Sequence, residues 1–129
     1  VLKDGGKLAI VINSRKTRLI FKKLEPKIAK ILDVNFIPDA DHTIVLENIP
    51  SKLKAFETVK EKKMVSVLRL TKADPYIDYI DSSRDFWGDA KEQRWKSALN
   101  FSKKYLENIL KKQKIIKDYV TIGIVVATK

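Results

Sequence analysis

Lys7-Leu8-Ala9-Ile10-Val11-Ile12-Asn13 is the stretch on which the fold turns. The run is continuously apolar and rich in β-branched side chains, as in a strand buried on both faces. Gly5-Gly6 just before it permits a tight turn into the strand. Two later stretches share its character: Met64 to Leu70 alternates well enough for a strand, and Tyr119 to Ala127 is a strong buried strand. These three are expected at the centre of a sheet. Asp33 to Pro38 and His42 to Ile49, separated by Asp39-Ala40-Asp41, read as a further pair of short strands favouring a hairpin, which Pro50 ends.

Between the strands the period changes. Ser14 stands where it would cap a helix starting at about Arg15. Ile20, Phe21, Leu24, Ile28, Ile31 and Leu32 then recur at helical spacing, with Pro26 marking a kink or the start of a second short helix. Leu53, Phe56 and Val59 predict a short amphipathic helix within 51–62. A longer helix is expected over roughly 90–113, with Trp95, Ala98, Leu99, Ser102, Leu106, Ile109 and Leu110 on one face. Asp89 and Glu92 resemble a capping box at its start. Residues 71–89 mix aromatics and carboxylates without a steady period, as in a functional or mobile loop. The expectation is α/β: a mixed sheet of four or five strands with two main helices packed on it, forming one domain over 1–129, with no repeat or linker.

The bulk numbers bound the function. With 129 residues, 44% hydrophobic and 33% charged, the chain has enough apolar material for a core. It has no cysteine, which excludes disulfides and thiolate metal sites and fits a reducing, intracellular compartment, cytoplasm or nucleus. No apolar run approaches the roughly 18 residues of a membrane span, and no signal-peptide pattern is visible. The chain opens on Val1 rather than Met, as in a processed chain or a piece of something longer.

The net charge is +11. Such a field attracts anions over about 8–10 Å at physiological salt. Nucleic acid, an anionic membrane surface and an acidic protein are the partner classes; charge held only for solubility is the bland alternative. Residues 1–50 hold nine basic and six acidic side chains, a balance of +3, and residues 51–129 hold eighteen and ten, a balance of +8. The two long helices supply most of the cations, and the acids gather in loops.

Two basic clusters follow as candidate phosphate contacts: Arg15, Lys16, Arg18, Lys22 and Lys23 at the first helix start, and Lys103, Lys104, Lys111 and Lys112 on the long helix. Each phosphate neutralised adds about 0.7–0.9 to the salt slope of log affinity. Tyr76, Tyr79 and Trp87, near Lys72, Arg84 and Lys91, are candidates for base stacking, with anchoring of the loop to the core as the alternative.

No complete catalytic site is visible. His42 is the only histidine, and beside Asp39 and Asp41 it reads as a turn histidine, not a metal ligand or acid–base group. No nucleophile elbow marks a triad. Glu61-Lys62-Lys63 has a spacing seen in some metal-dependent nucleases but is common in lysine-rich chains. Ser14-Arg15-Lys16-Thr17 lacks the glycines of a phosphate loop. No zinc-finger, RNP or Gly-x-x-Gly pattern occurs. No catalytic residue, metal or cofactor is expected.

Leu2-Lys3-Asp4-Gly5-Gly6-Lys7-Leu8-Ala9-Ile10-Val11-Ile12 resembles the segment that enters the fifth strand of class I S-adenosylmethionine-dependent methyltransferases. The order that follows is similar over residues 2–49: a helix to Leu32, a strand around Phe36 and a strand from Thr43. In that family the last two strands form an antiparallel hairpin at one sheet edge. The family's glycine-rich cofactor loop and ribose-binding acid are absent here. Asp74-Pro75-Tyr76 lacks the second proline of the amino-methyltransferase Asp-Pro-Pro-Tyr motif and lies on the wrong side of the strand. The resemblance therefore implies the distal part, or a degenerate relative, of a methyltransferase-like domain that would not methylate alone.

The expected function is a non-catalytic nucleic-acid-binding domain, with RNA ahead of DNA, within a ribonucleoprotein or other larger complex. The methyltransferase-like fragment is one alternative. A protein-interaction subunit, docking through the stretch from Tyr76 to Trp87, is the other.

Overall fold

In the computed structural model, which describes residues 2–36 and 44–129, the elements run β1 (Lys7–Asn13), α1 (Leu19–Leu32), α2 (Ile49–Lys52), β2 (Thr58–Leu70), α3 (Asp74–Asp81), a 3-10 turn (Arg84–Trp87), α4 (Glu92–Gln113) and β3 (Ile116–Thr128). The fold is mixed α/β, but among the described residues its sheet has three antiparallel strands in the order β1-β3-β2, not four or five, with four α-helices. The chain forms two compact units. One comprises Val1–Arg18, Asp39–Val67 and Tyr119–Lys129; the other comprises Leu19–Pro38 and Leu68–Asp118.

In the first unit β1 and β3 pair antiparallel, Lys7 opposite Thr128 through to Asn13 opposite Ile122. Gly5, at φ +77°, turns the chain so that its N–H donates to the Lys129 carbonyl, and the Lys129 N–H donates back to Gly6. One sheet face is apolar. Leu8, Ile10 and Ile12 of β1 lie opposite Ala127, Val125 and Gly123 of β3 and pack with Leu46, Ile49 and Leu53. Period-2 alternation sends Ala9 and Val11 to the other face, where Val11 is 68% exposed. The expectation that β1 and β2 are central fails: among the described residues only β3 has a strand on each side, and β2 is exposed from Lys60 to Arg69.

Gly123 is required by packing. A Cβ there would lie 2.0 Å from Leu46 Cδ1. Leu46 itself belongs to a turn leading into α2, so the strand expected over 42–49 is not formed by its described residues 44–49. Residues 33–36 likewise form a turn and irregular chain, and the rest of the expected hairpin lies outside the described residues. The helix expected within 51–62 is replaced by α2, a turn and the start of β2: Phe56 packs against the sheet's apolar cluster from the turn, its N–H donating to the Leu53 carbonyl, and Val59 packs against it from the strand.

In the second unit α1 and α3 pack on α4. Phe21, Leu24, Ile28 and Leu32 of α1 meet Tyr76 and Ile80 of α3 and Trp95, Ala98 and Leu106 of α4. The helical periodicity of α1 and α4 thus predicts the buried faces correctly, and α1 runs through Pro26 without a break. Its start does not follow Ser14. Residues 14–18 form a turn, and the Ile20 N–H donates to the buried carboxylate of Asp118, 98 positions later, at 3.4 Å. The capping box at 89–92 is also absent: the N-cap of α4 is Lys91, with no side-chain cap bond. Part of the stretch expected to be irregular is ordered as α3 and the 3-10 turn, since Tyr76 and Ile80 supply a buried face four residues apart.

Candidate nucleic-acid interface

The lysines of the long helix are gathered on its outer arc. At 100° per residue, Lys104 and Lys111 stand almost in line, two turns and about 10.5 Å apart. Lys103 and Lys112 flank them, opposite the buried Ser102 and Leu106. Lys114 follows at the C-cap in the left-handed conformation (φ +60°), and Lys117 opens β3; both are exposed. Lys103 is engaged, its ammonium 2.7 Å from Asp74 Oδ1. That hydrogen bond and the accompanying charge attraction hold the Lys103 pKa above, and the Asp74 pKa below, their ordinary values. Lys104, Lys111, Lys112, Lys114 and Lys117 have no ion pair among the described residues. Cations at the C-terminal end of a helix also complement its dipole, so this cluster costs the fold little.

The first basic cluster is not gathered in the same way. Arg15, Lys16 and Arg18 belong to the turn that ends one unit's first segment, and Lys22 and Lys23 to the helix of the other. Arg15, Arg18 and Lys22 are half-buried; Lys16 and Lys23 are exposed. The turn is built around Glu47, which sequence reading passed over. Its carboxylate accepts from the Ser14 hydroxyl and from the Arg15 N–H at 3.0 Å, while Ser14 Oγ accepts from the Lys16 N–H at 3.0 Å. Partial burial pushes the Glu47 carboxyl up. The donors Ser14, Arg15 N–H and its own backbone, together with the Lys63 charge, outweigh that and hold it below its ordinary value. Thr17 is buried and accepts from the Thr121 N–H. The segment from Ser14 to Arg18 is therefore a structural clamp in which only Lys16 is freely presented.

Of the expected stacking residues Tyr76 and Trp87 pack into or against the core, while Tyr79 is partly exposed. Tyr76 is 2% exposed, and its hydroxyl donates to Asp118 at 2.6 Å. Tyr79 meets Phe21 and Tyr76 edge-on, at centroid distances of 5.6 and 6.0 Å. Trp87 is half-buried, stacked on Phe36 at 6.1 Å, and its indole N–H donates to Ser83. No stacking platform follows from these three. Among the described aromatics Phe86 is the most exposed, at 91%, and Tyr79 and Tyr119 are exposed to a lesser degree. In sequence Phe86 is flanked by Asp81, Asp85, Asp89 and Glu92, and Arg84, the nearest cation in sequence, is paired with Glu92 at 2.7 Å.

Beside Trp87 a shallow cleft of about 400 Å³ opens between the end of α1 and the start of α4. Arg94 crosses it, donating to the Leu32 carbonyl at 3.0 Å and pairing with Asp33 at 3.2 Å, while Asp89 and Lys91 stand on the rim. Its lining charges cancel, Asp33 and Asp89 against Lys91 and Arg94. Among the described residues no three histidine, cysteine or carboxylate side chains converge on a possible metal position. His42, Asp39 and Asp41 lie outside the described residues. Glu61 and Lys63 pair at 3.5 Å on β2, without the ligand group a nuclease metal would need. No helix among the described residues is long and apolar enough to cross a membrane. Comparison with protein-family models and with curated proteins yields no match to this chain.

Proposed function

We propose that this chain binds the phosphate backbone of a nucleic acid, RNA ahead of DNA, through the outer face of α4. The observation that carries the reading is the set of exposed cations Lys104, Lys111, Lys112, Lys114 and Lys117, none of them in an ion pair among the described residues. The overall charge of +11 adds long-range attraction. Contacts of this kind supply affinity and orientation but no base readout. Four phosphates contacted on a single strand would give a salt slope of about 3.

Fluorescence anisotropy with labelled RNA and DNA over a salt series tests it. The triple variant Lys104→Glu, Lys111→Glu, Lys112→Glu should lose at least about tenfold in affinity and show a shallower slope, with the fold intact by circular dichroism. Unchanged low-salt affinity would remove α4 from the account.

A second reading concerns what the sheet belongs to. Here β2 and β3 are antiparallel neighbours and β2 is an edge strand, after a Gly-Gly turn, an apolar strand and a helix. The alternative is the distal part of a class I methyltransferase-like domain, a resemblance carried by residues 2–13 and α1; the strands it implies around Phe36 and from Thr43 are not formed by the described residues 33–36 and 44–49. The two readings are compatible, since one concerns a helix face and the other the sheet. Calorimetry with S-adenosylmethionine separates the enzymatic case: measurable uptake by this chain alone would contradict a purely non-catalytic role.

A further inference from the structure

β2 is thirteen residues long, about 43 Å at strand rise, and among the described residues it has a neighbour on one side only. Its free edge presents a row of unpaired backbone donors and acceptors. Proteins usually blunt such an edge with proline, bulges, charge or a covering element. The first half of β2 is protected in this way by Lys60, Lys62 and Lys63. The second half is not: Met64, Val65, Val67 and Leu68 are 47%, 62%, 42% and 40% exposed, and no proline interrupts the strand.

The charge order along β2 selects an occupant. We propose that the edge of β2 pairs antiparallel with β2 of a second copy of this chain, on a two-fold axis through Val65. In that register Val65 faces its own copy, Met64 faces Ser66, Lys63 faces Val67, Lys62 faces Leu68 and Lys60 faces Leu70. At both ends Glu61 faces Arg69, giving two symmetry-related ion pairs and no like charges directly opposed. Glu61 already pairs with Lys63 at 3.5 Å, so its carboxylate lies on the strand's odd-numbered face, as the side chain of Arg69 does. Neighbouring registers are poorer. With the axis between Met64 and Val65, Lys60 faces Arg69; between Val65 and Ser66, Lys62 faces Arg69; through Ser66, Lys63 faces Arg69. Through Met64, Glu61 faces Val67 and both ion pairs are lost. Parallel in-register pairing sets every cation against its own copy. Opposite charges across a strand pair stabilise and like charges destabilise, so the sequence discriminates among alignments. Such an isologous contact closes on itself, giving a dimer with one continuous six-stranded sheet instead of a fibre.

Sedimentation velocity of the full chain over a concentration series, without nucleic acid, tests the proposal independently of the polyanion reading. Wild type should dimerise. Arg69→Glu replaces each ion pair with two opposed carboxylates, one of them that of Glu61, and should raise the dimer dissociation constant at least about tenfold. The double reversal Glu61→Arg, Arg69→Glu should restore association, which a merely misfolded variant could not do. The chain has no cysteine, so Val65→Cys introduces a single thiol. Its copies would lie at the ~4.5–5.5 Å Cβ separation of directly opposed residues and should oxidise to a symmetric disulfide dimer. A chain monomeric at every concentration, or a dimer indifferent to Arg69→Glu, would overturn the proposal. Monomers capped by a strand of another protein would fall under the first outcome.

Discussion

The phenol of Tyr76 donates to the buried carboxylate of Asp118 across 2.6 Å, joining α3 to the first residues of β3. The same carboxylate receives the Ile20 N–H at the start of α1. Three elements far apart in sequence thus meet at one buried acid. Tyr76→Phe removes a donor and leaves that acid less well solvated. We expect a loss of about 1–3 kcal/mol, seen as a lower urea midpoint with an unchanged slope.

Gly123 and Leu46 are matched in the opposite sense, by the absence of a side chain. Gly123→Ala drives a methyl group into Leu46 and should destabilise by about 1–3 kcal/mol. Leu46→Ala alone leaves a cavity at a fully buried site and should cost about 2–5 kcal/mol. The double variant should cost clearly less than the sum, because the new methyl group occupies vacated space. A thermodynamic cycle from denaturant unfolding measures that coupling.

Glu47 gives the stability a pH dependence of definite sign. Its carboxyl is held below the ordinary value of 4.5 in the folded chain. The unfolded chain therefore binds the proton more readily, and the stabilisation is fully present above about pH 4.5 and lost as pH falls through the lower folded value. Glu47→Gln should lower stability at neutral pH and flatten the acid side of the profile. Thermal melts from pH 7 to about pH 3 would show the wild-type and variant curves converging at the acid end.

Lys114 holds a left-handed C-cap conformation that glycine adopts without steric cost. Lys114→Gly should raise stability by up to about 1 kcal/mol in a thermal melt. In the polyanion reading the same change should slightly weaken low-salt RNA binding, because one cation leaves the α4 face. Stability and affinity would then move in opposite directions.

The helices were the most legible part. Apolar spacing in 20–32 and 95–110 names the residues that α1 and α4 bury, because a helix of that length must hide one stripe whatever it packs against. The second lysine cluster was legible for the same reason: positions opposite the buried stripe are outside. The helix starts were misread because the group that caps α1 is Asp118, and nothing local to Ser14 announces it. The burial of Tyr76 was not legible because an aromatic beside charged residues looks alike in sequence whether it is spent on the core, as Tyr76 is, or left in solvent, as Phe86 is.

By itself the sequence determined charge, the absence of thiol chemistry, the two long helices and the apolar character of the three strands. All of these depend on composition or on periods within a single segment. Only tertiary structure decided that β3 lies between β1 and β2, that residues 44–49 turn instead of pairing, and that Ser14 serves Glu47 and not a helix. Each of those outcomes depends on partners more than thirty positions away. An apolar strand reads the same at the centre of a sheet and at its edge, since its pattern records how much surface is to be covered but not which neighbour covers it.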